Sequence, residues 1–382
     1  MPPWMRAALA LFAVGWGANQ FAAILPVYES HGASSAEVTA LFGAYAAGLI
    51  PALLIVAPIS DRLGRRRVLR PVLVLSFVAT VVLILGQDSS LLLLLGRLLA
   101  GIASGAAFAP GTAWVKELSA AAPGVGARRA AIALTAGFGT GPLVAGVLGQ
   151  WVAHPTVVPY VPHLVLTVLV WAVMWRAPEP AASDAGHGDD LVRGVRRAIT
   201  SRRFLTQVVP TAPWVFGGAT LAFAAIPSIV AVPGPHIAVG GVLVATTLAA
   251  GILLQPVGRR LSITATLLTG GVAGIAGFLL ATAAAAAGVA WPVPIICVLL
   301  GAAYGLILVG GLRTVEEVAH PGDLASVNAV FYSLTYVGFA APYLVTLLVA
   351  AVPGYVAMVM VAGLLATSVG VAVAGRRHAS VG

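Results

Sequence analysis

The chain has 382 residues, of which 60% are hydrophobic and only 9% charged. Long apolar runs with so few charges exclude a soluble globular protein, because such runs belong in lipid. The 21 basic and 12 acidic residues leave a net charge of +9, a balance that elsewhere would suit nucleic acid; here the charges sit in short loops between the apolar runs, which makes a nucleic-acid partner improbable.

Taken in order, the apolar runs read as twelve membrane helices, each near the ~20 residues that a bilayer core requires. They cover residues 6–27, 36–59, 68–86, 90–111, 129–152, 160–176, 204–230, 236–256, 263–285, 291–311, 326–350 and 354–374. The first run is full length, contains Asn19 and Gln20, and shows no small-residue cleavage site, so it reads as a retained helix. The second and third are joined by Ala57-Pro58-Ile59-Ser60-Asp61-Arg62-Leu63-Gly64-Arg65-Arg66-Arg67. Gly64 suits the tight reversal, since glycine takes left-handed backbone angles without steric cost. Asp61 is a single carboxylate among five arginines, counting Arg70, which suggests a specific partner.

In the fourth run lies Arg97, the one basic residue within a span. A buried guanidinium is costly in lipid, so it should face the interior with a partner. A hydrogen-bond hub on backbone carbonyls would serve as well as a substrate contact. The fifth run contains Gly137-Phe138-Gly139-Thr140-Gly141-Pro142-Leu143-Val144-Ala145-Gly146. Gly137 and Gly141 share a face and allow another helix close, and Pro142 removes a backbone donor and bends the helix. Gly241, Ala245 and Ala249 offer a small-residue partner face on the eighth run.

After the sixth run, Ala177-Pro178-Glu179-Pro180 and a polar, then basic, stretch break the apolar pattern. This divides the chain into a six-helix bundle over 1–177, a linker over 178–203 and a second six-helix bundle over 204–382. An amphipathic segment near Leu191–Phe204 could lie on the membrane surface. The halves look related: Gly64-Arg65-Arg66 recurs as Gly258-Arg259-Arg260, Gly141-Pro142 as Ala341-Pro342, and Glu117 as Glu317. Paired halves of this kind place a substrate site between them near the midplane, with rocking for alternating access.

Polar and aromatic residues inside spans are cavity candidates: Asn19, Gln20, Tyr45, Trp214, Tyr304, Tyr332 and Tyr336. Tyr332 and Tyr336 are four apart and share a helix face. For Trp16 and Trp214, interfacial or packing roles stand beside lining. His31, His154, His187, His236, His320 and His378 fall in loops or tails, and His163 near the outer end of the sixth run; no spacing suggests a metal site. Cys297 is the single cysteine, so no intramolecular disulfide forms. No phosphate-binding loop and no catalytic constellation is present, so neither a cofactor nor enzymatic activity is expected.

Apart from Arg97, the basic residues all fall on one side of this map, and the loops around Ser30, Gln87, His154, Pro233, Ala287 and Val352 carry none. That asymmetry puts both termini in the cytoplasm of a multi-pass cell-membrane protein.

Three stretches resemble motifs of the major facilitator superfamily. Asp61, Arg62, Gly64, Arg65 and Arg66 match the basic loop between its second and third helices, with Ala57 where glycine is usual. Arg97 and Gly101 match its helix-four arginine motif. Gly137, Gly141, Pro142 and Gly146 match the glycine–proline signature of its exporters, with Ala145 replacing one glycine. The resemblance implies an all-α integral membrane fold of twelve helices in two pseudo-symmetric bundles. It also implies that the loop serves as a conformational latch and that Arg97 takes part in proton coupling or substrate contact. The expected function is secondary transport of a small organic molecule, by efflux, as a monomer, with proton coupling open. Two alternatives stand: an uptake permease for a sugar or other nutrient, and a membrane enzyme on lipid-linked substrates using Glu316, Glu317, His320 and Asp323. No acid lies deep within a span, so neutral or anionic substrates are expected over cations, and Glu29, Glu37 and Asp61 are the proton-carrier candidates.

The orientation yields a direct check. In a Cys297→Ala background, an impermeant thiol reagent outside whole cells should label a cysteine at Ser89 and not one at Ser183; labelling of the second alone inverts the topology.

Overall fold

Prolines, glycines and serines punctuate the apolar runs, and helices begin and end at them. The computed structural model describes residues 1–119, 125–179, 188–320 and 323–377; the side chains at 61, 188–192, 325, 376 and 377 lie outside the described set. The described residues are helical, without strands. The expected linker over 178–203 therefore falls partly outside it, at 180–187.

Spans two to five are single long helices, Ser35–Leu63, Arg65–Leu85, Ser90–Glu117 and Val125–Trp151. Spans eight, nine, ten and twelve are likewise single, over His236–Arg260, Ile263–Ala287, Val293–Val318 and Gly354–Arg377. Serine side chains cap three of these at the start: Ser34 accepts from the Glu37 N–H, Ser89 from Leu92 and Ser262 from Ala265. Gly64 has φ +98° and ends span two while opening span three, which is the reversal that needs glycine.

Four spans are interrupted. Span one runs over Pro3–Ala23 and Leu25–Ser30, span six as a 3-10 turn Val158–Tyr160 and helix Val161–Met174. Span seven is a π-helical turn Phe204–Val208, then Ala212–Ala224 and Ile226–Ile229. Span eleven runs over Leu324–Val337, Gly338–Ala340 and Ala341–Val349. Each break lies near a proline, Pro26, Pro159, Pro210, Pro227 or Pro342, which lacks the donor to continue an α-ladder. A further amphipathic helix covers Gly188–Ile199. Among the described residues, nine helices are long and apolar enough to cross a membrane. Spans one, six and seven are not among the nine: Arg6, Asn19 and Gln20 dilute the first, and the breaks shorten the other two.

The chain forms two compact units, Met1–Ala185 with Pro235–Ala245, and Gly186–Gly234 with Thr246–Gly382. In the first, span four packs on spans two, three and one, span one on five, and span six on one and three. In the second, span nine packs on ten and twelve, and span seven on ten and eleven. These are corresponding pairings, which is how pseudo-symmetry shows within each unit.

Glycine sets the closest approaches. Lipid gives helices no hydrophobic reason to associate, so small residues that let backbones touch matter more than in water. A methyl at Gly101 or Gly105 would overlap the backbone carbonyl of Tyr45 or Leu49 on span two. A methyl at Gly301 or Gly305 would overlap that of Thr247 or Gly251 on span eight. The two glycine pairs are related by the offset that relates Glu117 to Glu317. Gly101→Ala and Gly301→Ala should therefore each cost about 1–3 kcal/mol, seen as a lowered melting temperature in detergent. Gly363→Ala, whose new methyl would meet nothing within 4 Å, should melt like the parent.

Candidate functional site

The most buried charge in the first unit is Arg97, with no exposed surface. Span four carries it between spans one and two. Its Nε donates to the Leu41 carbonyl at 3.2 Å, Nη1 to Ala18 at 3.3 Å and Nη2 to Phe42 at 3.3 Å. The guanidinium lies 4.6 Å from the Phe21 ring centre, 4.8 Å from Tyr45 and 5.8 Å from Phe42. Carbonyl dipoles and ring faces thus stand where a carboxylate would otherwise be needed. Tyr45 is buried. Asn19 follows Ala18 directly and is 8% exposed. Arg97 and Tyr45 are thereby brought together, and among the described residues no contact of the Asn19 side chain with either is seen.

Gln20, one residue further along span one, is fully buried and belongs to a different cluster. Its Nε2 donates to Thr80 Oγ1 at 3.3 Å, while its Oε1 is buried without a hydrogen-bond partner. Thr80 Oγ1 lies 2.8 Å from Nδ1 of His163. Nε2 of His163 lies 3.1 Å from the Ala13 carbonyl, 3.2 Å from Thr167 Oγ1 and 3.5 Å from Ser76 Oγ. Sequence reasoning placed His163 near a helix end and gave it no role. The short turn Val158–Tyr160 and Pro162 start the helix so that His163 points inward, against the middle of spans one and three.

In the second unit the candidate tyrosines join an aromatic cluster. Phe216 stacks on Tyr304 and Tyr336, with ring centres 5.6 and 4.7 Å apart, and meets Phe339 edge-on at 5.5 Å. Tyr332 packs beside Phe331 at 5.5 Å. Spans seven, ten and eleven supply these rings. Trp214 donates to Ser368 Oγ at 3.0 Å and packs edge-on against Phe278, an internal packing role.

The basic loop finds more acidic partners than its own sequence offers. Arg65 bonds Glu117 Oε1 through Nε at 3.3 Å and Nη2 at 3.1 Å, and reaches Ser60. The Arg66 N–H donates to Glu179 Oε1 at 3.1 Å, and its Nη1 to the Ala177 carbonyl at 3.2 Å. Arg70 lies 3.5 Å over the Trp175 ring and donates to that residue's carbonyl. A side chain at Gly64 would strike the Glu179 carboxylate. Arg62 is exposed, and the Asp61 side chain lies outside the described set. Glu117 and Glu179 are far from the loop in sequence, and no local spacing could have revealed them.

The glycine–proline motif of span five divides its contacts. Gly137 faces the Phe12 carbonyl and Gly141 that of Trp16, both on span one. Gly146 faces Ile237 and Gly241, and Gly241 in turn faces the Pro142 carbonyl. Gln150 Oε1 accepts the Ile237 N–H at 3.1 Å, capping the start of span eight. Among the described residues no group of His, Cys, Asp and Glu is arranged to hold a metal.

A family model described as Major Facilitator Superfamily matches residues 7–342. No curated protein sequence matches the chain. Among solved structures, the nucleoside transporter NupG superposes with a TM-score of 0.78 over 98% of this chain and 99% of its own, at 12% identity. That identity speaks for the fold alone. The chain belongs to the Major Facilitator Superfamily, and is a multi-pass membrane transporter of small molecules rather than an enzyme.

Proposed function

We propose that this transporter exports a small organic molecule from the cytoplasm across the cell membrane by alternating access. The observation that carries the direction is the span-five motif. Gly137 and Gly141 seat span one, and Gly146 with Pro142 seats Gly241, in a stretch that resembles the signature of the family's exporters. In this reading the halves 1–177 and 204–382 rock about the linker 178–203, as a monomer, with the arginine-bearing loops and both termini in the cytoplasm. Asp61, Arg62, Gly64, Arg65 and Arg66 form the latch. Asn19, Tyr45, Tyr304, Tyr332 and Tyr336 contribute to the substrate path, and Arg97 acts by fixing spans one and two around it.

Substrate charge follows from the same residues. Spans one to twelve carry their described carboxylates at helix ends. A permanent cation at mid-membrane would meet no counter-charge, which is expensive. Neutral and anionic amphiphiles fit better. A second reading, uptake of a nutrient, is favoured by the likeness to a nucleoside transporter.

The test is transport of a compound panel in cells and in inverted vesicles under an imposed pH gradient, with and without the protein. Export of neutral or anionic compounds, with quaternary ammonium dyes left behind, is the expected result. Accumulation of a nutrient in intact cells replaces efflux by uptake, and vigorous export of quaternary dyes overturns the charge argument.

A further inference from the structure

The cluster around His163 is unlike any other polar group in the first unit, because its hydrogen bonds form a chain that can run in either direction. Ala13's carbonyl can only accept, so Nε2 of His163 carries a hydrogen and donates it over 3.1 Å. Nδ1 of the neutral ring then accepts from the Thr80 hydroxyl at 2.8 Å. Thr80 in turn accepts from Gln20 Nε2 at 3.3 Å. The remaining amide atom, Gln20 Oε1, is buried and unpartnered. A buried acceptor left without a donor is costly and calls for explanation.

Reversing the chain would give Gln20 Oε1 a donor. A proton added at Nδ1 turns it into a donor to Thr80 Oγ1. The Thr80 hydroxyl hydrogen then rotates away and needs an acceptor, which Gln20 Oε1 provides once its amide turns over. One proton enters and no other covalent bond is made or broken; the turned amide places Nε2 where Oε1 stood, so the unpaired atom passes from an acceptor to a donor. Gly17 is part of the design, since a methyl there would lie 2.5 Å from Nε2 of His163.

We propose that His163, relayed through Thr80 to Gln20, is a proton-binding site in the membrane core of this transporter. The proposal rests on the family membership and is independent of the direction of transport.

The surroundings give the proton a conformational effect. Span one presents Ala13, Gly17 and Gln20 to the ring, and its charged residue, Arg6, is held by the Arg176 carbonyl at the far end. Span three presents Ser76 and Thr80, and its arginines 65, 66 and 70 are engaged at its start. Span six itself adds Thr167, and Tyr160 one turn back is bonded to Tyr28 at 2.7 Å. The adjoining span four contributes Arg97, a like charge that is itself buried. Helices Pro3–Ala23, Arg65–Leu85 and Val161–Met174 contain no Asp or Glu. An imidazolium here would be buried without a counter-charge. Proton binding therefore favours a state in which spans one, three and six separate enough to admit water, and it shifts the population toward that state.

The experiment reads the proton directly. The full chain, with its six other histidines replaced by glutamine, is labelled with nitrogen-15 in the one remaining imidazole and placed in lipid nanodiscs. Its ring nitrogen shifts are followed from pH 9 to 3.5, in the parent and in Thr80→Val. The expected result is an Nε2–H neutral ring at high pH that gains a second proton within this range. Thr80→Val should lower that midpoint by about one unit, because the charged ring loses the stronger hydrogen bond. A ring that stays neutral throughout, or a midpoint that Thr80→Val leaves in place, overturns the proposal. Neither outcome bears on whether the protein exports its substrate.

Discussion

A guanidinium in a membrane core must give each of its donors a destination, and the arrangement of the first unit follows from how Arg97 does so. Its three nitrogens reach Leu41, Ala18 and Phe42. Those carbonyls belong to two other helices, so span four can sit in one place only relative to spans one and two. The carbonyls already serve their own helix ladders, and their second lone pairs make the extra bonds available at no loss of helix. Phe21, Phe42 and Tyr45 then close around the charge. Glycine makes this reach possible: Gly101, one turn after Arg97, lets span four touch the Tyr45 carbonyl.

The second unit repeats the glycine contacts without the charge. Gly301 and Gly305 approach span eight as Gly101 and Gly105 approach span two. The position that corresponds to Arg97 at the same offset is Cys297, a buried thiol near the Ala222 carbonyl at 3.7 Å. Span seven gains an aromatic cluster around Phe216 instead. The backbone plan is thus duplicated, while the arginine hub and the histidine relay both lie in the first unit. A transporter whose halves differ in this way can hold an ionisable group in one half and aromatic surface in the other.

The twelve spans were legible because each apolar run is long and its ends carry arginine, serine, glycine or proline. The reversal at Gly64 was legible too, and its φ of +98° is what glycine permits. What the sequence hid is contact over long separations. Glu117 and Glu179 meet Arg65 and Arg66 from other helices, and their neighbours along the chain say nothing of it. Gly137 and Gly141 announce a close helix without naming it; the partner is span one, and Gly146 takes the approach to span eight. His163 stands at the start of the span-six helix, as its place in the sequence implies, but it is fully buried against spans one and three, which the sequence did not reveal. A signal for it did exist in Gly17, Gln20, Ser76 and Thr80, small or polar residues in otherwise apolar helices, but only the fold brings them together.

We propose that Arg97 holds the first unit together through three carbonyls and does not itself meet the substrate. Arg97→Lys tests it most directly, since an ammonium keeps the charge but cannot fork to carbonyls on two helices. Thermal unfolding of the purified variant, measured beside its transport activity, should show a melting temperature lower by roughly 5 °C or more. Activity that survives should scale with the folded fraction. A variant that melts with the parent yet has lost transport would contradict the account and place the guanidinium on the substrate's path.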